Sequence, residues 1–205
     1  MNRVIVLDPG HGGDDPGAVW PPGSSVAGSL FVEKDLNQNL CWSVAHAIDS
    51  FDWPLECELT RDDDEGLTLQ QRGEFSAAHE AGLVISVHHN AAADNAAHGL
   101  LCFCRDDSEV GYEVARKIMS CAPEPLRRTN ATPIVCSDRD WTKRAYNVLR
   151  VHEAPAVLVE CGFLTSEVDR LALHSDATQA GLVVAVMAGV ARYLQLQEVS
   201  ECVKD

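Results

Sequence analysis

Dense apolar and β-branched runs alternate along this chain with stretches whose apolar residues keep a helical spacing, and that alternation predicts its elements. Arg3 to Leu7 is a β-branched run ending in Asp-Pro-Gly, the pattern of a buried strand entering a tight loop. Residues 12–31 are rich in Gly, Pro and Ser around Trp20-Pro21-Pro22-Gly23, and read as a long surface loop, one wall of a cleft. Behind Asp35, the expected N-cap, Leu36, Leu40, Val44, Ile48 and Phe51 predict a helix. Glu56 to Thr60 alternates as a half-buried strand does, and Thr68-Leu69-Gln70-Gln71 fits a capping box that opens a helix to Glu80. Further strands are expected at Leu83 to His88, Gly99 to Phe103, Tyr146 to Val151 and from Ala156 into Glu160. Helices are expected at Asp107 to Cys121 and Asp176 to Leu196, while Pro123 to Arg144 reads as a long loop near the site.

Strands alternating with helices predict an α/β fold, a mainly parallel twisted sheet of about six strands with helices on both faces. Residues 1–205 are expected to form one domain, its core at 3–195, because no repeat, linker or second-domain boundary interrupts them. Ligands of such sheets gather beyond the carboxyl ends of strands, and His11, His88 and Glu160 each fall at or just after a predicted strand end.

Composition narrows the classes of partner. With 31 acidic and 16 basic side chains the net charge is −15, so no nucleic acid and no anionic membrane surface is expected to be bound. Ala180 to Leu194 is broken by glycines and Arg192 and looks too short to span a bilayer, so a core helix without stable membrane insertion is expected. Met1-Asn2-Arg3 runs straight into apolar sequence, which predicts synthesis in the cytoplasm without a signal peptide. The 8 cysteines are then expected to be reduced thiols. Cys102 and Cys104 would share one face of a strand rather than hold a metal. The acidic run Asp62-Asp63-Asp64-Glu65 lacks the alternate-position ligands of a calcium loop and reads as a solvated turn.

Four short segments carry the candidate chemistry: Asp8-Pro9-Gly10-His11-Gly12-Gly13, Glu33-Lys34, Ser86-Val87-His88-His89-Asn90-Ala91 and Val159-Glu160-Cys161-Gly162-Phe163. Singly each is a weak signal. In this order they resemble the zinc-dependent N-acetylmuramoyl-L-alanine amidases of the type-3 family, and the resemblance runs from Val4 to Leu194. It extends to Asn39-Leu40 after Glu33-Lys34, to Thr60-Arg61 and to Leu69-Gln70-Gln71-Arg72. The resemblance implies one Zn2+ ion with His11, Glu33 and His88 as its ligands, and Glu160 as the catalytic carboxylate beside it. Two neutral imidazoles and a carboxylate would leave the ion net positive, while a separate carboxylate moves protons, which suits amide hydrolysis.

The sequence departs from the family pattern in two places. His89 replaces a small residue and sets two imidazoles in competition; register with Asn90-Ala91 assigns His88 to the metal and leaves His89 as a substrate contact. Ser166 stands where the family usually has Asn, which touches only the capping of the turn after Glu160. His46, His79, His98, His152 and His174 have no motif around them and take structural or surface roles by default. Asp8 is an expected hydrogen-bonding support for the metal ligands.

The activity so implied is hydrolysis of the amide between N-acetylmuramic acid and L-alanine in peptidoglycan or muropeptides, by a monomer without a separate wall-binding domain. It would act at the cell wall, as a phage-type endolysin or as a host autolysin whose export segment lies outside this chain. The alternatives are a zinc peptidase acting within the stem peptide and a catalytically silent wall-binding module of the same fold.

Overall fold

A computed structural model of the chain describes residues 3–137 and 146–202. Strand β1 (Val4–Pro9) leads to two short strands, β2 (Val19–Trp20) and β3 (Phe31–Val32), which pair antiparallel. Helix α1 (Glu33–Ser50), β4 (Glu56–Leu59), α2 (Leu69–Ala78), β5 (Leu83–Asn90), β6 (Leu101–Arg105), α3 (Glu109–Ser120) and β7 (Ile134–Cys136) follow. The chain then forms α4 (Val148–Val151), β8 (Ala156–Phe163), α5 (Glu167–Leu173) and α6 (Asp176–Cys202). The main sheet has six strands in the order β4-β1-β5-β8-β6-β7. Its neighbours are parallel except for β6 and β8, which run antiparallel. This is the α/β sheet that the sequence pattern predicts.

Strand alternation divides the core between two faces. Ile5, Leu7, Leu83, Ile85, Val87, Val157 and Val159 face one way, onto Leu40 and Val44 of α1, Ile118 of α3 and Leu182 and Val186 of α6. Val6, Val84, Phe103 and Leu158 face the other way, onto Phe75 of α2 and Val148 and Leu149 of α4. Burial on both faces explains why these strands read as continuous apolar runs. Cys102 and Cys104 are fully buried and pair with Val159 and Val157 of β8. The described cysteines other than Cys202 are free thiols.

Several elements differ from expectation for identifiable reasons. Helix α1 starts at Glu33 with Val32 as N-cap, not at Asp35. No side-chain cap is needed, because the Glu33 and Lys34 N–H groups donate to the Ala18 and Pro16 carbonyls at 2.9 and 3.1 Å. The segment Tyr146 to Val151 is not a strand; Val148–Val151 is a short helix whose Val148 and Leu149 are buried, and a brief apolar run cannot distinguish the two conformations. The loop over 12–31 contains β2 and β3, and within the segment 123–144 Ile134–Cys136 forms the edge strand β7. The rest of that expected loop from 138 on lies outside the described residues.

Helix α6 corrects the argument from length. Its stretch Asp176–Gln195 is 20 residues with a mean hydropathy of 1.4, long and apolar enough to cross a bilayer. Its place as a core helix rests instead on packing: Leu182, Ala185, Val186, Val190 and Tyr193 are buried in the cluster shared with α1 and α3.

Candidate metal centre

The carboxyl ends of β1, β5 and β8 lie side by side, with Pro9 paired to Val87 and His88 paired to Glu160. Partners in a parallel ladder share a face, so His88 and Glu160 point to the same side of the sheet. His11 sits just past β1, and Glu33 enters as the first residue of α1. Nε2 of His11 and Nδ1 of His88 lie 3.1 and 3.0 Å from Glu33 Oε1. A donor atom from each of His11, Glu33 and His88 lies within 4.8 Å of the others. These side chains and Glu160 line an open cleft of about 990 Å³ together with Asp15, Leu67 and Val148.

Local sequence makes this convergence possible. A methyl group on Gly10 would collide with the His88 imidazole, so only glycine lets that ring lie against the turn. His11 itself has φ 61°, a left-handed conformation unusual for a side chain with a Cβ and held by its surroundings. Arg72 donates to the Pro9 and His11 carbonyls at 2.9 and 2.8 Å, and Arg61 donates to those of Pro9 and Gly10 at 3.1 and 3.2 Å. Asn37 Nδ2 donates to Gly10 O at 3.1 Å. Two guanidinium groups and an amide thus fix the backbone on which His11 stands.

The electrostatics match a cationic guest. Burial opposes protonation of His11, but the Glu33 and Asp15 carboxylates outweigh it and raise its pKa to about 9. Burial likewise works against the charge on Glu33, yet His11 and His88 hold its carboxyl well below the usual range. The same positions that attract protons would attract a divalent ion, which would displace them. Zinc holds nitrogen and oxygen ligands at about 2.0–2.2 Å, which sets neighbouring donors of a tetrahedron about 3.3 Å apart. The contacts at 3.1 and 3.0 Å to Glu33 are close to that spacing, and the donor set of two imidazoles and a carboxylate fits the ion. Glu160 differs in kind: burial pushes its pKa up to about 7, and its Oε2 is buried without a hydrogen-bond partner.

The sequence-selected residues thus come together, with two exceptions. His89 does not join the ring of donors: its imidazole is buried on the α1 side of β5, and Nδ1 donates to Asn37 Oδ1 at 2.8 Å. Asp8 makes no direct hydrogen bond to a metal-binding imidazole; it is wholly buried and accepts from Thr60, Ser86 and Arg72. The residue against His11 is Asp15, whose Oδ2 lies 2.8 Å from His11 Nδ1. A carboxylate four positions after a histidine, inside a Gly-rich turn, was the available signal for it. Asp64 is more than a solvated turn residue, since it accepts from Lys34 Nζ at 2.6 Å and Gly13 N at 2.8 Å. Ser166 does cap α5, accepting from Asp169 N at 3.4 Å.

The family profile described as N-acetylmuramoyl-L-alanine amidase matches residues 5–192. Over 191 residues the chain is 28% identical to the uncharacterized protein YqiI of Bacillus subtilis strain 168, covering 93% of this chain and 84% of YqiI. It is 26% identical to the N-acetylmuramoyl-L-alanine amidase LytC of the same strain, over 94% of this chain but only 36% of LytC. The solved structure of the CwlD amidase from Clostridioides difficile, in complex with the GerS lipoprotein, superposes with a TM-score of 0.78 at 27% identity, covering 95% of this chain and 100% of CwlD.

Proposed function

The chain belongs to the N-acetylmuramoyl-L-alanine amidase family, and from that premise we propose a zinc-dependent hydrolase of the amide between N-acetylmuramic acid and L-alanine. One observation carries the reading. Donor atoms of His11, Glu33 and His88 meet within 4.8 Å, in a cleft that also holds the buried, unpartnered Oε2 of Glu160.

His11, Glu33 and His88 would hold the ion. Zinc, when bound, supplies the positive charge that polarises the scissile carbonyl and makes water acidic. Glu160 supplies the proton path. Burial raises this carboxyl and the ion's positive charge would lower it again, so Glu160 would take a proton from the attacking water at Oε2 and return it to the departing nitrogen. Burial keeps that carboxyl poorly solvated where it lies between His88 of β5 and Leu101 of β6. The cleft is open to solvent, as a site on a polymer must be, and the proposed place of action is the bacterial wall. With a net charge of −15, long-range attraction to anionic wall polymers is disfavoured, so recognition rests on the cleft.

Purified peptidoglycan incubated with the protein should release free stem peptides bearing new L-alanine amino termini, and a chelator should stop the release. Stems left attached to glycan, or cut internally, would overturn the proposal; internal cuts would instead indicate a stem peptidase. Glu160→Gln should lower the rate by roughly 100-fold or more while zinc content is retained. An unchanged rate would remove Glu160 from its role.

A further inference from the structure

The segment from Asp15 to Ala18 touches both imidazole and carboxylate sides of the proposed zinc centre. Asp15 uses its two carboxylate oxygens separately: Oδ2 lies 2.8 Å from His11 Nδ1, and Oδ1 accepts from Gly17 N at 3.1 Å. Gly17, at φ 66°, lies so close to Glu33 and His11 that a Cβ there would press on both side chains. Next, Ala18 N donates to Glu33 Oε2 at 2.7 Å. The carbonyls of Pro16 and Ala18 also receive the first N–H groups of α1, which fixes where Glu33 leaves the helix. Backbone bonds between Gly12 and Asp15 close the near end of the segment, with N···O distances of 3.0 and 3.2 Å.

We propose that this strap is a positioning device for two of the three donors, with the Asp15 carboxylate as its fastening, an inference that rests on the zinc reading above. Engaging His11 Nδ1 leaves Nε2 as the nitrogen facing Glu33, so the tautomer and the ring orientation are set by one carboxylate. Engaging Glu33 Oε2 leaves Oε1 turned toward His11 and His88. Asp15 is therefore a positioning residue acting through His11, with no place in the proton transfer. Its side chain is 69% exposed, so its replacement disturbs little packing.

Competition against a chromophoric chelator measures the zinc affinity of the intact chain, and Asp15→Asn should weaken it by about 10- to 100-fold. The far-ultraviolet circular dichroism and a single cooperative melt should persist. The visible absorption of the cobalt-loaded protein should change with Asp15→Asn, because the geometry of the donor set changes. Asparagine keeps an oxygen to accept from Gly17 N and so spares the Glu33 side of the strap, which leaves His11 as the intermediary: Asp15→Asn should have no further effect on affinity in a His11→Ala background, yet keep its factor in a His88→Ala background. Wild-type affinity and an unaltered cobalt spectrum in Asp15→Asn would overturn this inference alone. An equal loss in the His11→Ala background would do the same. A wild-type chain that binds no zinc would overturn the metal reading and this inference with it.

Discussion

At Gly10 a single missing methyl group decides whether the site can exist, because the space a Cβ would need is filled by the His88 imidazole. Gly10→Ala should therefore lower bound zinc by displacing that ring, with the circular dichroism of the fold retained; full zinc occupancy by metal analysis would contradict it. The adjacent histidines should separate cleanly. His88→Ala should lose zinc, whereas His89→Ala should keep it and lower the stability by about 1–3 kcal/mol, because Asn37 then loses its buried partner. Metal analysis and melts of the two variants read both effects, and the reverse assignment of zinc would refute the register. That His88, and not His89, turns toward His11 and Glu33 was legible in the sequence: alternation along β5 puts neighbours on opposite faces, and Asn90-Ala91 after the pair picked out His88. Asp15 was harder to read, its spacing from His11 being its one signal. Its role depends on a turn that doubles back onto His11, and no periodicity marks such a turn.

Among the elements, α2 shows a local signal that tertiary packing leaves intact. Thr68 Oγ1 accepts from Gln71 N at 3.2 Å while Gln71 Oε1 accepts from Thr68 N at 2.9 Å, the reciprocal pair that Thr-x-x-Gln predicts. Thr68→Ala should cost about 1 kcal/mol, read as a lower denaturation midpoint with an unchanged slope. Arg72 and the cleft-lining Leu69 both stand on this helix, so its first turn also sets one wall of the site. Where an element's start is governed from a distance, the sequence is less informative. Asp35 looked like the N-cap of α1, yet the helix starts three residues earlier, where the carbonyls of Pro16 and Ala18 do that work and so bring Glu33 into the cleft. The misreading of α4 has another origin: four residues are too few to show a helical period, and burial of Val148 and Leu149 enriches them in apolar character whatever their conformation. Strands β1, β5 and β8 were readable because burial on both faces makes their runs continuous.

Across the molecule, the buried Asp8 carboxylate ties β1 to three other parts of the chain: Ser86 of β5 at 2.7 Å, Thr60 beyond β4 at 2.7 Å, and Arg72 of α2. Arg72 in turn reaches the His11 carbonyl, so the same knot holds the sheet together and supports the turn of the proposed zinc centre. Burial alone would raise the pKa of Asp8, but the Arg72 charge and the hydrogen bonds from Thr60, Ser86 and Arg72 outweigh it and lower it from 3.8 to about 2. A carboxyl whose folded pKa lies below its unfolded one adds stability that is complete above the unfolded value and is lost as pH falls through the folded value. The window for Asp8 is therefore about pH 4 down to about pH 2, and the contribution is roughly 2 kcal/mol. Melting temperatures of the wild type should fall across that window more steeply than those of Asp8→Asn, in which this group no longer titrates. Because the knot includes the His11 carbonyl, the variant should also bind zinc more weakly at neutral pH, where the loss cannot come from titration. Parallel pH slopes for the two proteins would show that the acid sensitivity comes from the many surface carboxylates and not from this buried one.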